Sequence, residues 1–215
     1  MLGVQKMDPQ TAARMTAREE TARLISAIIH PVLFPLLVLG ITLYVNSARS
    51  LSETLRDLVL ALVLTTLPIA LLVGLQVLRG KWTDLDVSVR RQRYALYPFG
   101  IACMAALALA YARLHAPQVA VQSAVALMLA NIINGLVNFG YKVSAHATGA
   151  AASATLLWLA VPVVTLALAA TVATLAVGWS RVALHRHTRG QVVLGWAVGV
   201  GSMLVALRAP LPTFL

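Results

Sequence analysis

Negative charge is scarce in this chain of 215 residues: Asp and Glu number seven, and none follows Asp86. Hydrolysis by two facing carboxylates needs a pair of acids held close together. Hard-cation clusters need several carboxylate oxygens. Both chemistries are all but excluded, and a Ser-His-Asp triad could take its acid only from Asp84 or Asp86. Cysteine is scarcer still. Cys103 stands alone, so no intrachain disulfide and no Cys-based zinc site can form, and its place in an apolar run marks it as a small buried side chain. Charged residues of both signs make up only 11% of the chain, against about one quarter in a soluble domain. Such a chain cannot clothe a water-facing surface.

What the chain has instead is apolar length. Hydrophobic residues are 60% of it, mean hydropathy is +0.83, and several runs approach or exceed the roughly 20 residues that cross a bilayer core. The reading is an all-α polytopic transmembrane bundle of about six or seven spans. Residues 1–24 carry Lys6, Asp8, Arg14, Arg18, Glu19, Glu20 and Arg23, too charged for a cleavable signal core; they form a cytosolic or interfacial segment. Residues 25–215 form one transmembrane domain. The first span covers 25–45, kinked at His30-Pro31 and Pro35. A polar turn at 46–57, with a helix start at Ser52-Glu53, leads to a second span over 58–78. Further spans cover 94–113 and 118–140. Asn131, Asn134 and Asn138 share one face of the latter, where amides act as interhelical glue. The 32 apolar residues 147–178 exceed one span, and Pro162 near their middle suggests two short helices with a tight turn, one long kinked helix being the alternative. The last span is 190–207.

On a count of seven, the polar breaks at 79–93, 141–146 and 179–189 are separated by even numbers of crossings and emerge on one face. Three polar clusters that meet can build a site. That face holds all of the 17 Lys and Arg except Arg49, Arg56, Arg113 and Arg208, so the positive-inside rule makes it the cytoplasmic face of an inner or plasma membrane. The net charge of +10 is thereby explained by flanks of spans. Without a long basic tract or interleaved aromatics, no nucleic-acid partner is expected.

Arginine and histidine remain, and theirs is the chemistry of phosphate. One break reads Gly178-Trp179-Ser180-Arg181-Val182-Ala183-Leu184-His185-Arg186-His187-Thr188-Arg189-Gly190-Gln191, another Lys142-Val143-Ser144-Ala145-His146. From residue 79 onward the chain resembles the type 2 phosphatidic acid phosphatase superfamily, which includes lipid phosphate phosphatases and vanadium haloperoxidases. That family carries Lys-x6-Arg-Pro, then Pro-Ser-Gly-His, then Ser-Arg-x5-His-x3-Asp. Ser180-Arg181-x5-His187 fits the third motif and Ser144-x-His146 the second, and the 41 residues between the histidines suit a short membrane member. Val143 replaces the motif proline, Ala145 the glycine, and Gln191 the aspartate that orients the nucleophile. In the first motif Arg93 stands at the arginine, Tyr94 at the proline and Asp86 at the lysine, with Arg90 a substitute cation. If this segment is helical, Asp86, Arg90 and Arg93 share a face.

The resemblance implies a lipid phosphate phosphatase that needs no metal or other cofactor. His187 becomes phosphohistidine. Arg90, Arg93 and Arg181 hold the phosphoryl oxygens, with Ser144 and Lys142 as further donors. His146 protonates the leaving alkoxide and then activates water. Gln191 accepts a hydrogen bond from His187 in place of the aspartate, and Asp86 folds back toward the histidines or fixes the Arg90–Arg93 pair. His185 is a bystander and Thr188 a helix-start residue. Arg186 and Arg189 are interfacial anchors, and His30 and His115 are structural. The expected substrate is a polyprenyl or glycerolipid phosphate in the bilayer. A non-catalytic binder or transporter of anionic lipids, and a phosphotransferase using the same histidine, are the alternatives; the residues set no oligomeric state.

Overall fold

The computed structural model describes residues 16–31, 33–46 and 50–209; within them every regular element is helical. The first is α1 (Ala17–Ile28), opened by a capping box in which Thr16 and Glu19 satisfy each other's backbone N–H groups. Pro31 follows, and the residue before a proline is pushed out of the helical region. The chain therefore breaks and resumes as α2 (Leu33–Asn46), bent by 46° from α1. The expected first span is thus two helices. α1 also crosses the boundary drawn at residue 24, while Lys6, Asp8 and Arg14 lie outside the described residues.

Ser50 and Glu53 form a second capping box, which starts α3 (Leu51–Ala61). The polar turn expected over 46–57 is therefore already helical from Leu51, because the cap lies about two turns ahead of the apolar run that begins at residue 58. A π turn (Leu62–Thr66) and α4 (Leu67–Leu78) continue it as one helix of 28 residues. Pro68 has no N–H to give the preceding turn, and a π turn absorbs the mismatch. Then come α5 (Arg93–Arg113), α6 (Gln118–Val137), α7 (Ala145–Ala160), α8 (Val164–Ala183) and α9 (Arg189–Arg208). α7 and α8 are the pair expected around Pro162. α8 is not short, however: its 20 residues carry Ser180 and Arg181 into its last turn.

Five helices are long and apolar enough to cross a membrane, and the bent α1–α2 pair makes up to six. α7, with 16 residues, is ~24 Å long and shorter than a ~30 Å bilayer core. It sits at the centre, packed on α2, α6, α8 and α9. Its buried alanines 147 and 151 meet glycines of α9. A Cβ at Gly195 would lie 2.7 Å from the Ser144 carbonyl, and one at Gly199 would run into the Thr148 carbonyl. Small residues let membrane helices approach this closely, and dispersion and polar contacts hold them where lipid offers no hydrophobic drive. Of the three amides expected as glue, Asn134 donates to Thr148 of α7 and Asn138, just past α6, to the Arg90 carbonyl, whereas Asn131 donates within α6 to the Leu127 carbonyl.

Candidate functional site

Successive helices reverse direction, so the segments after α4, α6 and α8 gather at one end of the bundle. Backbone contacts tie them together. The Ser144 amide donates to the Gln191 carbonyl at 3.2 Å, Arg93 Nη1 to the Val143 carbonyl at 2.8 Å, and Lys142 Nζ to the Arg186 carbonyl at 2.9 Å. The three breaks singled out in the sequence form one polar cluster.

His187 is buried in the turn between α8 and α9. Its Nδ1 lies 3.0 Å from Gln191 Oε1, which also accepts the Thr188 amide at 3.3 Å. A backbone N–H can only donate, so that atom is the oxygen, and the ring must offer Nδ1–H. Nε2 is then left with its lone pair. Gln191 gains this position as the third residue of α9, where it forms a capping box with Thr188. One side chain closes the helix end and sets the tautomer of the ring. Burial, then the charges of Lys142 and Arg93, push His187 down to about 3, against a smaller opposing pull from Gln191; the ring is neutral near pH 7.

Arg181 is buried in the last turn of α8. Its Nη2 donates to Asp86 Oδ2 at 2.8 Å and its Nη1 reaches Ser26 Oγ at 3.5 Å. Nε has no hydrogen-bond partner. Asp86 also lies 3.8 Å from His146 Nε2 and 4.0 Å from Arg186 Nε. Burial alone would raise its carboxyl, yet Arg181, with help from His146 and Arg186, holds it below the usual carboxylate range. Asp86 thus reaches back to one histidine and to Arg181, not to Arg90 or Arg93. A helix over this segment is not formed. Asp84 accepts from the Ser88 amide and hydroxyl, and Val87 takes a left-handed φ of 48°, with its carbonyl held by Arg93 Nε. Only a 3-10 turn at Arg90–Gln92 precedes α5.

The remaining cations divide. Arg93 is buried and clamps two loops through Val87 and Val143. Arg90 turns away to the Phe139 carbonyl. Burial and the charges of Arg93, Arg181 and Arg186 lower Lys142. Ser144 is fully buried, and its hydroxyl caps α7 by accepting the Ala147 amide at 3.4 Å. Arg186, read as an anchor, instead donates to Ser88 Oγ and stands beside Asp86. His30, read as structural, lies edge-on to His146 with ring centroids 6.4 Å apart. Ser26 had no signal in the sequence; its role depends on α1 packing against α8.

Two cavities meet this cluster. One, of about 520 Å³, reaches from Asp86, Arg93 and His146 down between α2, α4, α5, α6 and α7. The other, of about 490 Å³, is lined by Arg18, Lys142, His185, Arg186, His187 and Gln191. The histidines therefore open to different cavities, with the Asp86–Arg181 pair beside His146. Among the described residues no group of three or more His, Cys, Asp or Glu could hold a metal ion. Compared with known proteins, the chain matches no family model, no curated protein and no solved structure.

Proposed function

We propose that this chain is an integral-membrane lipid phosphate phosphatase of the type 2 phosphatidic acid phosphatase kind, working through phosphohistidine at a cytoplasmic-facing site. The observation that carries the reading is the His187–Gln191 pair: a buried neutral ring, fixed through Nδ1, with Nε2 available beside Arg93, Arg181 and Lys142. The phosphoryl group takes the place of the Asp86 carboxylate on Arg181, whose guanidinium suits either anion. Nε2 of His187 bonds to phosphorus as the bond to the lipid oxygen breaks. With the negative charge of the bound phosphate beside it, His146 takes up a proton from water and gives it to that oxygen. Water then attacks phosphorus, His146 takes its proton, and the nitrogen–phosphorus bond breaks to release phosphate and the original ring.

A second reading, a binder of anionic lipids without chemistry, draws on one observation: the two histidines face different cavities. Free phosphate separates the two. Purified protein with chelator present is expected to release phosphate from a lipid phosphate, and His187→Ala to lower the rate at least ~1,000-fold, as loss of a nucleophile does, while inserting normally. Near-normal turnover in that variant ends the phosphohistidine mechanism. Dependence on His185 instead would move the nucleophile.

A further inference from the structure

The break between α1 and α2 contains His30-Pro31 and belongs to none of the three polar segments that build the site. It is nevertheless seated on that site from both sides. Before it, Ser26 Oγ lies 2.9 Å from Ser180 Oγ and 3.5 Å from Arg181 Nη1. After it, a Cβ at Gly149 would lie 3.6 Å from the Pro31 carbonyl oxygen and 3.7 Å from Pro35 Cγ, and Gly149 is about one turn along α7 from His146. Held between these contacts, the His30 ring stands edge-on to His146 with centroids 6.4 Å apart. That is too far for a direct hydrogen bond and near enough for a single water between the rings. His30 is exposed, whereas the His146 side chain is only 11% exposed. Both line the larger cavity together with Asp86.

The chemistry proposed above gives His146 a proton to carry. Burial, then the Arg181 charge, push its ring down to about 3, against the pull of Asp86, so without an added negative charge it is neutral near pH 7. A proton must therefore enter as the phosphoryl group binds and depart as phosphate leaves. Among the described residues, Asp86, Arg181, His187 and His30 face His146. Asp86 is held as a carboxylate by Arg181, a guanidinium keeps its protons, and His187 commits Nε2 to phosphorus. His30 has the chemistry that is left, since imidazole gains and loses a proton in the neutral range.

We infer that His30 is the proton relay of this site: its outer edge exchanges with bulk water, and its inner edge passes the proton through one water to His146. Substrate binding draws a proton inward, and His146 gives it to the lipid oxygen as the phosphorus–oxygen bond breaks. In the second half-reaction His146 takes a proton from the attacking water as the nitrogen–phosphorus bond breaks. The same path returns that proton to bulk as phosphate leaves. One proton enters and one leaves in each turnover. His30 acts through His146 and touches no substrate, and the assignment rests on the phosphatase reading.

The test follows phosphate release by the full-length protein in nanodiscs, on whichever of hexadecyl phosphate, farnesyl phosphate and dihexadecanoyl phosphatidate it turns over. His30→Ala should lower kcat about ten-fold, less than the ~10²–10⁴ of a group that transfers the proton itself, because water still reaches His146 slowly. KM should stay within about two-fold, since the Arg181 end is untouched. Imidazole added to the buffer should restore most of the lost rate in His30→Ala by carrying protons from the space left by the ring. It should restore none in His30→Gln, which fills that space without titrating. The solvent deuterium isotope effect on kcat should rise in His30→Gln as proton delivery becomes limiting, a reading that stands even if the alanine variant does not insert. A normal rate and isotope effect in His30→Gln, or a slow His30→Ala unmoved by imidazole, overturns the relay and leaves the phosphatase in place. No release from any of the three lipids by the unaltered protein overturns the phosphatase reading, and the relay with it.

Discussion

At the residue scale the decisive pair is His187 and Gln191. Ordinary histidine titrates near 6.5, while this ring is pushed down to about 3 by burial and by Lys142 and Arg93. Its neutral form is therefore the one the fold favours, and protonation is penalised as pH falls from about 6.5 toward 3. If His187 is the nucleophile, the pH–rate profile should show no acid limb near 6.5. Lys142→Gln removes one of the depressing charges and should move the acid limb upward; a limb at 6.5 in the unaltered protein contradicts the geometry. Asp86 gives a second test. It occupies Arg181 and lies beside His146, so Asp86→Asn should free the guanidinium for phosphate and deprive His146 of a partner. KM for a lipid phosphate and kcat should fall together, each by about tenfold for ~1.4 kcal/mol. A silent variant would make Asp86 no more than a loop tie.

At the scale of elements, the seam between α7 and α9 is set by glycine. A methyl at Gly199 would meet the Thr148 carbonyl and come within 3.0 Å of Ala151 Cβ, whereas Gly201, two residues on, has nothing within 4 Å. Gly199→Ala should lower the thermal midpoint in detergent by about 5 °C or more, as overpacking of ~1–3 kcal/mol does, and Gly201→Ala should leave it unchanged. The helices themselves were legible from apolar length and from Pro162. Helix ends were legible only where a cap was recognised: Thr188 was read as a start, but Ser50, the true cap of α3, was passed over for Ser52. The bend at Pro31 was expected as a kink and proved a full break, because α1 carries its own cap and charges. Least legible was the segment around Asp86. Its conformation depends on Arg93 reaching the Val87 carbonyl from α5, a tertiary contact that no periodicity carries. The contacts of His30 with His146, of Ser26 with Ser180 and of Arg186 with Ser88 are tertiary in the same way.

At the scale of the whole molecule, alternation of crossings was enough to bring three loops to one end, and the contacts Arg93–Val143, Lys142–Arg186, Arg181–Asp86 and Ser144–Gln191 realise it. Which side of the membrane that end faces is open to direct labelling. In a Cys103→Ala chain, a cysteine placed at the exposed Tyr141 should react with a membrane-impermeant maleimide only after cells are opened, if the basic excess sets orientation. Labelling of intact cells would reverse the topology. The α7–α9 seam has a bearing on descent as well as on stability. Gly195 lies under the carbonyl of Ser144, the residue that caps the helix bearing His146, while the same α9 begins directly after the turn bearing His187. The spacing of the two histidines is thus written in residues that touch no phosphate. Among diverged descendants of this chain, positions 195 and 199 should stay small even where Lys142 or Arg90 has drifted.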